Sequence, residues 1–248
     1  MPPSGLSNLC AVAVMAKAPQ PGRVKTRLQG VLSPEEAAGL GAAFLRDITA
    51  NLQQAAATAP LHGFVAYAPA GNEGAFDGIL APGTRLVLAD GAGAMPAGVD
   101  GFGRVLWGAV RDLFALGYGA VGVLNADSPT LPTAFLCQAA EALVAGSPAV
   151  LGAAEDGGYY FLGLRAPDPA PFAGITWSTD VVAGQTRERL RDAGLRADEL
   201  PGWYDVDDPP ALRRLLAGDA GSAATPFPAP ATRAFVAGLG LPGRLGAA

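Results

Sequence analysis

Lys17, Arg23, Lys25 and Arg27 crowd into one short stretch, Lys17-Ala18-Pro19-Gln20-Pro21-Gly22-Arg23-Val24-Lys25-Thr26-Arg27-Leu28, directly after an apolar run from Leu9 to Ala16. The chain holds 17 Lys and Arg against 22 Asp and Glu, so this density of cations is local. A charge run can be a plain solvated face. The setting argues for phosphate, because a strand that ends in a Gly-containing loop leading to a helix is where open α/β sheets bind ligands. A formal charge of −5 speaks against coating a polyanion, so no nucleic acid is expected and the loop is aimed at a small phosphorylated ligand.

Carboxylates form the opposing half of the chemistry. The run Ala120 to Asn125 stops at Asn125-Ala126-Asp127-Ser128-Pro129, which puts Asp127 at a strand's ligand edge or in an Asx-turn or cap for the next helix. Further on, Trp203-Tyr204-Asp205-Val206-Asp207-Asp208-Pro209 places Asp205 and Asp207 on one side if the backbone is extended. Carboxylates so crowded repel unless a cation lies between them, and a hard divalent ion shared with substrate phosphates is the usual partner. Asp208, ahead of Pro209, suits a helix N-cap. Glu155-Asp156-Gly157-Gly158-Tyr159 reads either as a hairpin turn or as a backbone approach to a ligand, with Asp156 or Tyr159 giving polar contacts. Trp177-Ser178-Thr179-Asp180 offers an aromatic ring and a capped helix start that would suit an anionic acceptor, or a packed Trp with an ordinary cap.

Other chemistries are excluded. His62 is the one histidine, and no nucleophile pattern stands near it. There is no Gly-x-Ser-x-Gly elbow, Walker pattern or Gly-x-Gly-x-x-Gly fingerprint, so serine-triad hydrolase, kinase and dehydrogenase readings fall. Cys10 and Cys137 form no metal-like pair and read as reduced and packed. No apolar stretch approaches the roughly 20 residues that span a bilayer, and the first apolar run lacks a basic leader. A cytoplasmic protein with no membrane partner is expected.

The elements that must position these residues follow a β-α-β rhythm. Strands are predicted at Leu9 to Ala16, Leu61 to Tyr67, Thr84 to Leu88, Ala120 to Asn125, Ala149 to Ala153 and Tyr159 to Leu164. Ser33-Pro34-Glu35-Glu36 opens a first helix over about 34–57 with a capping box, and Phe102 to Leu116 and Leu136 to Val144 mark two more. Ser178 or Thr179 caps a fourth that stops at Gly194, and Ala68 to Pro82 and Ala89 to Gly101 read as loops. The reading is one α/β domain over residues 1–248 with an open, mixed, mostly parallel sheet and helices on both faces. Residues 217–248 form an Ala/Gly/Pro-rich extension with one short helix around Phe235, Val236 and Leu239, wrapping the domain or meeting a partner subunit.

Five motifs in order, MAKAPQPGRVKTRL at 15–28, ADSPTLP at 126–132, EDGGYYFLGL at 155–164, WSTD at 177–180 and WYDVD at 203–207, resemble the GT-A-fold radical-SAM/selenodomain-associated transferase 1 family, often labelled glycosyltransferase. That family is similar in turn to the molybdenum-cofactor and the phospholactate or phosphoenolpyruvate nucleotidyltransferases. The sequence departs from the family's pattern at Asn125, where many relatives have glycine, and at Asp208-Pro209-Pro210, where Thr-Pro-Glu or Thr-Pro-Asp is usual.

The resemblance implies a GT-A (Rossmann-like) transferase with Mg²⁺ or Mn²⁺ on Asp127, Asp205 and Asp207. It implies phosphate contacts from Lys17, Lys25 and Arg27; the reading of the residues themselves adds Gly22, Arg23 and Arg104 to the nucleotide and phosphate contacts and makes Lys17, Lys25 and Asp127 the catalytic residues. The acceptor would meet Asp156, Gly157, Gly158, Tyr159, Ser178 and Thr179. The expected reaction moves NMP from a nucleoside triphosphate to a small phosphorylated or carboxylated acceptor with release of pyrophosphate. The alternative is glycosyl transfer from a nucleotide-diphosphate sugar, with Asp156 or Asp180 as acceptor base.

Overall fold

The computed structural model describes residues 5–218, 224–241 and 244. Its strands are β1 (Cys10–Lys17), β2 (Leu61–Ala68), β3 (Arg85–Leu88), β4 (Ala120–Leu124), β5 (Ala149–Ala154), β6 (Tyr159–Leu164) and β7 (Ala197–Trp203). They form a seven-stranded sheet in the order β3-β2-β1-β4-β6-β5-β7. β1 pairs in parallel with β2 and β4, β2 with β3, and β5 with β7, while β6 runs antiparallel to both β4 and β5. The sheet is thus mixed and mostly parallel, as the sequence predicts. The six predicted strands are all present; β7 is an addition, because its sequence Ala-Asp-Glu-Leu-Pro-Gly-Trp lacks the apolar run that a buried central strand shows.

Among the described residues six α-helices pack on the two faces: α1 (Pro34–Ala56), α2 (Gly101–Ala115), α3 (Thr133–Ala145), α4 (Val182–Asp192), α5 (Pro209–Ala217) and α6 (Pro230–Ala237). Alternation along β1 shows how a continuous apolar strand serves both layers. Cys10, Val12 and Val14 join the core beneath α1 and α3, whereas Ala11 and Ala13 join the core beneath α2 and α4. α1 starts on the predicted capping box: Glu36 N donates to Ser33 Oγ, and Ser33 N donates to Glu36 Oε2. Burial holds the Cys10 thiol well above its ordinary pKa, at about 12, and both cysteines are free.

Two sequence expectations change. The fourth helix begins at Val182, not at Ser178 or Thr179, because Thr179 Oγ1 donates back to the Thr176 carbonyl at 2.6 Å and Ser178 takes a left-handed conformation with φ 65°. Residues 204–207 carry no regular strand, yet they keep a strand's alternation: Tyr204 and Val206 are buried and Asp205 and Asp207 half-buried. Asp208 does cap its helix, accepting from Ala211 N at 2.8 Å.

Of the Ala/Gly/Pro-rich stretch, residues 219–223, 242–243 and 245–248 lie outside the described residues. Its helix α6 folds back on α1, where buried Asp47 accepts hydrogen bonds from Ala231 N and Thr232 N and so caps the helix start. Arg244 adds an ion pair to Glu36. Among the described residues, no helix is long and apolar enough to cross a membrane.

Candidate functional site

The strand ends decide where the chemistry collects. Lys17 closes β1, Ala68 closes β2, Ala89 follows β3, Asp127 follows β4, and Asp207 lies beyond β7. All of these strands run the same way, so their carboxyl ends open onto one edge of the sheet. A cavity of about 500 Å³ occupies that edge. Lys17, Arg23, Lys25 and Arg27 line it together with Asp127 and Asp207, and Met15, Ala66, Ala68 and Ala89 add apolar lining.

The loop between β1 and α1 is shaped by its own residues. Gly22 takes φ +74°, a conformation that disfavours a side chain, and Lys25 adopts the left-handed region as well, at φ 50° and ψ 38°. The turn sends the Lys25 side chain inward while Lys17, Arg23 and Arg27 stay exposed. The Lys25 Nζ lies 2.5 Å from Asp127 Oδ1, 2.9 Å from Asp207 Oδ1 and 2.9 Å from the Val206 carbonyl oxygen. It also sits over the Phe44 ring, 4.6 Å from its centroid. Only 5% of its side chain is exposed, against 35% for Asp127 and 36% for Asp207.

Burial alone would push the Lys25 pKa down; the Asp127 and Asp207 charges and hydrogen bonds reverse this, and the ammonium titrates above the ordinary lysine value. Asp127 titrates above the usual carboxylate range: burial raises it, Lys25 pulls it back, and Asp207 and Asp156 raise it again. One buried cation therefore faces more anionic charge than it neutralises.

Asp205 belongs to the same neighbourhood but does different work. Its Oδ1 accepts from Ser128 Oγ at 2.6 Å and from Asn125 Nδ2 at 2.7 Å, which ties the segment after β7 to the turn after β4. Burial pushes its carboxyl up to about 7 against the Ser128 hydrogen bond, with the Asp127 charge adding to the rise. The backbone repeats the link, since Val206 N donates to the Asp127 carbonyl. The sequence assigns Ser128 and Asn125 no role of their own, although Asn125 stands where many similar chains have glycine.

The metal expectation can be tested on this donor set. Among the described residues, no three His, Cys, Asp or Glu side chains converge as a metal cage, because Asp205 is turned to Ser128 and Asn125. The structure does bring two carboxylate oxygens and a carbonyl oxygen to one point, the Lys25 Nζ, beside the cavity. One or two carboxylates completed by substrate phosphates is how Mg²⁺ is ordinarily held. Asp127 and Asp207 thus fit a hard divalent cation, and Asp205 holds their frame.

The remaining predicted residues divide. Ser178 lines the cavity, while Asp156, Gly157, Gly158, Tyr159 and Thr179 are outside its lining. The Asp156 carboxylate accepts from Gly158 N at 2.9 Å, yet its charge is felt by both Asp127 and Asp205. Gly157 has a packing reason to be glycine: at φ +90°, a Cβ there would lie 2.0 Å from the Asp180 carbonyl oxygen. The hairpin turn and the Trp177–Asp180 segment are interlocked at that point. The Tyr159 hydroxyl is buried with no hydrogen-bond partner among the described residues, and burial raises its pKa. Arg104 donates to the Gly91 and Gly93 carbonyls at 3.1 and 3.2 Å, so its guanidinium anchors the loop before α2.

Phe102 was assigned to the helix stripe and turns out to line the cavity, 47% exposed and edge-on to Trp177 at 5.7 Å.

Comparison with known proteins places this arrangement. A structure from Desulfovibrio desulfuricans G20, provisionally described as a nucleotide-diphospho-sugar transferase, is 29% identical and aligns with a TM-score of 0.77 over 92% of this chain and 94% of that one. CMP:2-keto-3-deoxy-manno-octonic acid synthetase, solved with CTP, aligns over 84% of this chain and 97% of that one at 12% identity and a TM-score of 0.50, a likeness of fold alone. No curated protein matches. Residues 49–179 match the family model described as an uncharacterized protein conserved in bacteria, DUF2064, and with more than half its length inside that model the chain belongs to this family.

Proposed function

We propose that the protein is a divalent-metal-dependent nucleotidyltransferase that moves NMP from a nucleoside triphosphate to a small phosphorylated or carboxylated acceptor and releases pyrophosphate. The observation that carries the reading is that one cavity is lined both by three exposed cations, Lys17, Arg23 and Arg27, and by a carboxylate corner, Asp127 and Asp207, gathered around Lys25. A triphosphate needs both, with cations for its oxygens and carboxylates for the ion that accompanies it. The relative from Desulfovibrio supports transfer from a nucleotide donor in general terms.

In this reading an acceptor oxyanion attacks the α-phosphorus, the bond from that phosphorus to the bridging oxygen breaks, and pyrophosphate leaves. An acceptor that is already ionised needs no general base, so the chain's work is positioning and charge stabilisation. Lys17, Arg23 and Arg27 hold the β- and γ-phosphate oxygens from the exposed loop. Asp127 and Asp207 hold a Mg²⁺ or Mn²⁺ ion, which when bound supplies charge stabilisation at the phosphate oxygens. Asp205 fixes the two segments that carry those carboxylates. Phe102 and the alanines at the ends of β2 and β3 form the cavity's apolar lining, suited to a base or an acceptor ring.

Glycosyl transfer from a nucleotide-diphosphate sugar is the second reading, favoured by the description of the relative from Desulfovibrio. Thermal-shift titrations with the four nucleoside triphosphates and with nucleotide sugars, each with Mn²⁺, Mg²⁺ or EDTA, separate the two. A ligand at 100 times its dissociation constant adds about 2.7 kcal/mol to stability. Metal-dependent stabilisation by one triphosphate, followed by pyrophosphate release on adding acceptor candidates, is the expected result. Stabilisation by a nucleotide sugar alone assigns the glycosyltransferase.

A further inference from the structure

Lys25 is used up. An ammonium has three donors, and those of Lys25 meet Asp127 Oδ1, Asp207 Oδ1 and the Val206 carbonyl, leaving none for a phosphate. Its neighbours Arg23 and Arg27 lie exposed along the same cavity. The side chain is seated over Phe44, and its backbone takes a left-handed conformation that is unfavourable for a non-glycine residue. The fold therefore directs this one cation of the loop onto the carboxylate corner.

We propose that Lys25 is a built-in stand-in for the divalent cation: its ammonium keeps the Asp127–Asp207 corner closed to metal until a polyphosphate on the loop draws it away, so that metal and nucleotide load together. The inference rests on the metal reading above. Charge balance gives the reason. Two carboxylates with one ammonium leave a net negative corner, whereas a divalent ion balances them fully and frees the ammonium for the phosphates arriving beside it. Either cation satisfies the same oxygens, and the two cannot occupy one point.

The test is calorimetric titration of Mn²⁺ alone into the full chain, without nucleotide. Lys25→Met is expected to bind Mn²⁺ roughly tenfold or more tightly than wild type, the scale of one lost charge-assisted competitor. Arg23→Met removes the same charge from the same loop without touching the carboxylates, and should leave Mn²⁺ affinity within about threefold of wild type. Adding Asp207→Asn to Lys25→Met should abolish the gain. The melting temperature gives a second readout: with its carboxylates unpaired, Lys25→Met should be destabilised without metal and be raised by Mn²⁺ more than wild type is.

Equal Mn²⁺ affinity in wild type and Lys25→Met overturns the stand-in while leaving the metal site in place. An equal gain in Arg23→Met also overturns it, since bulk charge would then explain the effect. Absence of Mn²⁺ binding in every variant, with and without nucleoside triphosphate, removes the metal reading and the stand-in with it.

Discussion

The two edges of the sheet each carry a cation beside a cavity, and they resolve its charge in opposite ways. At the amino ends of β2 and β3, Arg85 donates to the Tyr118 hydroxyl at 2.5 Å, approaches His62 Nδ1 to 3.3 Å and lies 4.6 Å above the Phe64 ring. Its partners are neutral, and the adjoining cavity of about 330 Å³ is lined by no carboxylate. At the carboxyl ends, Lys25 is shared by two carboxylates, with Asp156 adding to the field. A cavity by itself is not a site. What distinguishes the carboxyl edge is like charge that the fold forces together and does not fully neutralise, and such a place asks for a ligand.

The sharpest way to break this comparison is to remove charge from both edges. Asp127→Asn is expected to lower nucleotide-dependent transfer by about 10²–10³-fold, the usual cost of one preorganised catalytic contact, whereas His62→Ala and Arg85→Ala should turn over at near wild-type rates. Product formation measured for the three variants side by side decides it; a comparable loss in Arg85→Ala would erase the distinction between the edges.

A smaller effect tests the interlocked loops of the carboxyl edge. Gly157→Ala drives a Cβ into the Asp180 backbone at a positive φ and should cost about 2 kcal/mol or more, read as a lowered denaturation midpoint. Unchanged stability would mean that the hairpin and the Trp177–Asp180 segment move independently.

At the amino edge the expectation is structural only. Arg85→Ala should lose about 0.5–1 kcal/mol with its contact to Phe64, and nucleotide-induced thermal shifts should match wild type.

The smallest effect is pH-dependent. Burial, and then the Arg85 charge, lower the His62 pKa below its ordinary value near 6.5. The unfolded chain then takes up a proton on His62 before the folded one does, so the contribution of His62 to stability falls as pH drops below about 6.5 and levels off once pH has passed the folded pKa. In urea titrations the stability of wild type relative to His62→Gln should fall between pH 7 and 5, the raised Asp205 carboxyl acting alike on both chains, and a difference that does not change with pH would rule His62 out as a titrating group.

Much of this was legible in the residues. The alternating apolar runs indicated the six strands up to β6, the capping box marked α1 to within a residue, and Lys17, Arg23, Lys25, Arg27, Asp127 and Asp207 were all singled out before being found around one cavity. β7 was missed because edge strands need less apolar surface, and the polar Asp198 and Glu199 masked it. The start of α4 was misplaced because a Ser-Thr-Asp run looks like a cap whether or not its side chains reach the helix. Arg104 could be named as a cation but not aimed; only the folded loop shows that it holds the Gly91 and Gly93 carbonyls.

The sequence by itself determined which groups were available and which strand ends would present them, since hydrophobic periodicity and turn chemistry act over a few residues. The tertiary structure decided the pairings. That Lys25 and not Arg23 meets the carboxylates, that Asp207 joins Asp127 while Asp205 turns to Ser128 and Asn125, and that Phe102 faces the cavity all depend on contacts between segments far apart in the chain. Such contacts are set by the packing of whole elements against one another, and no local pattern in the sequence encodes them.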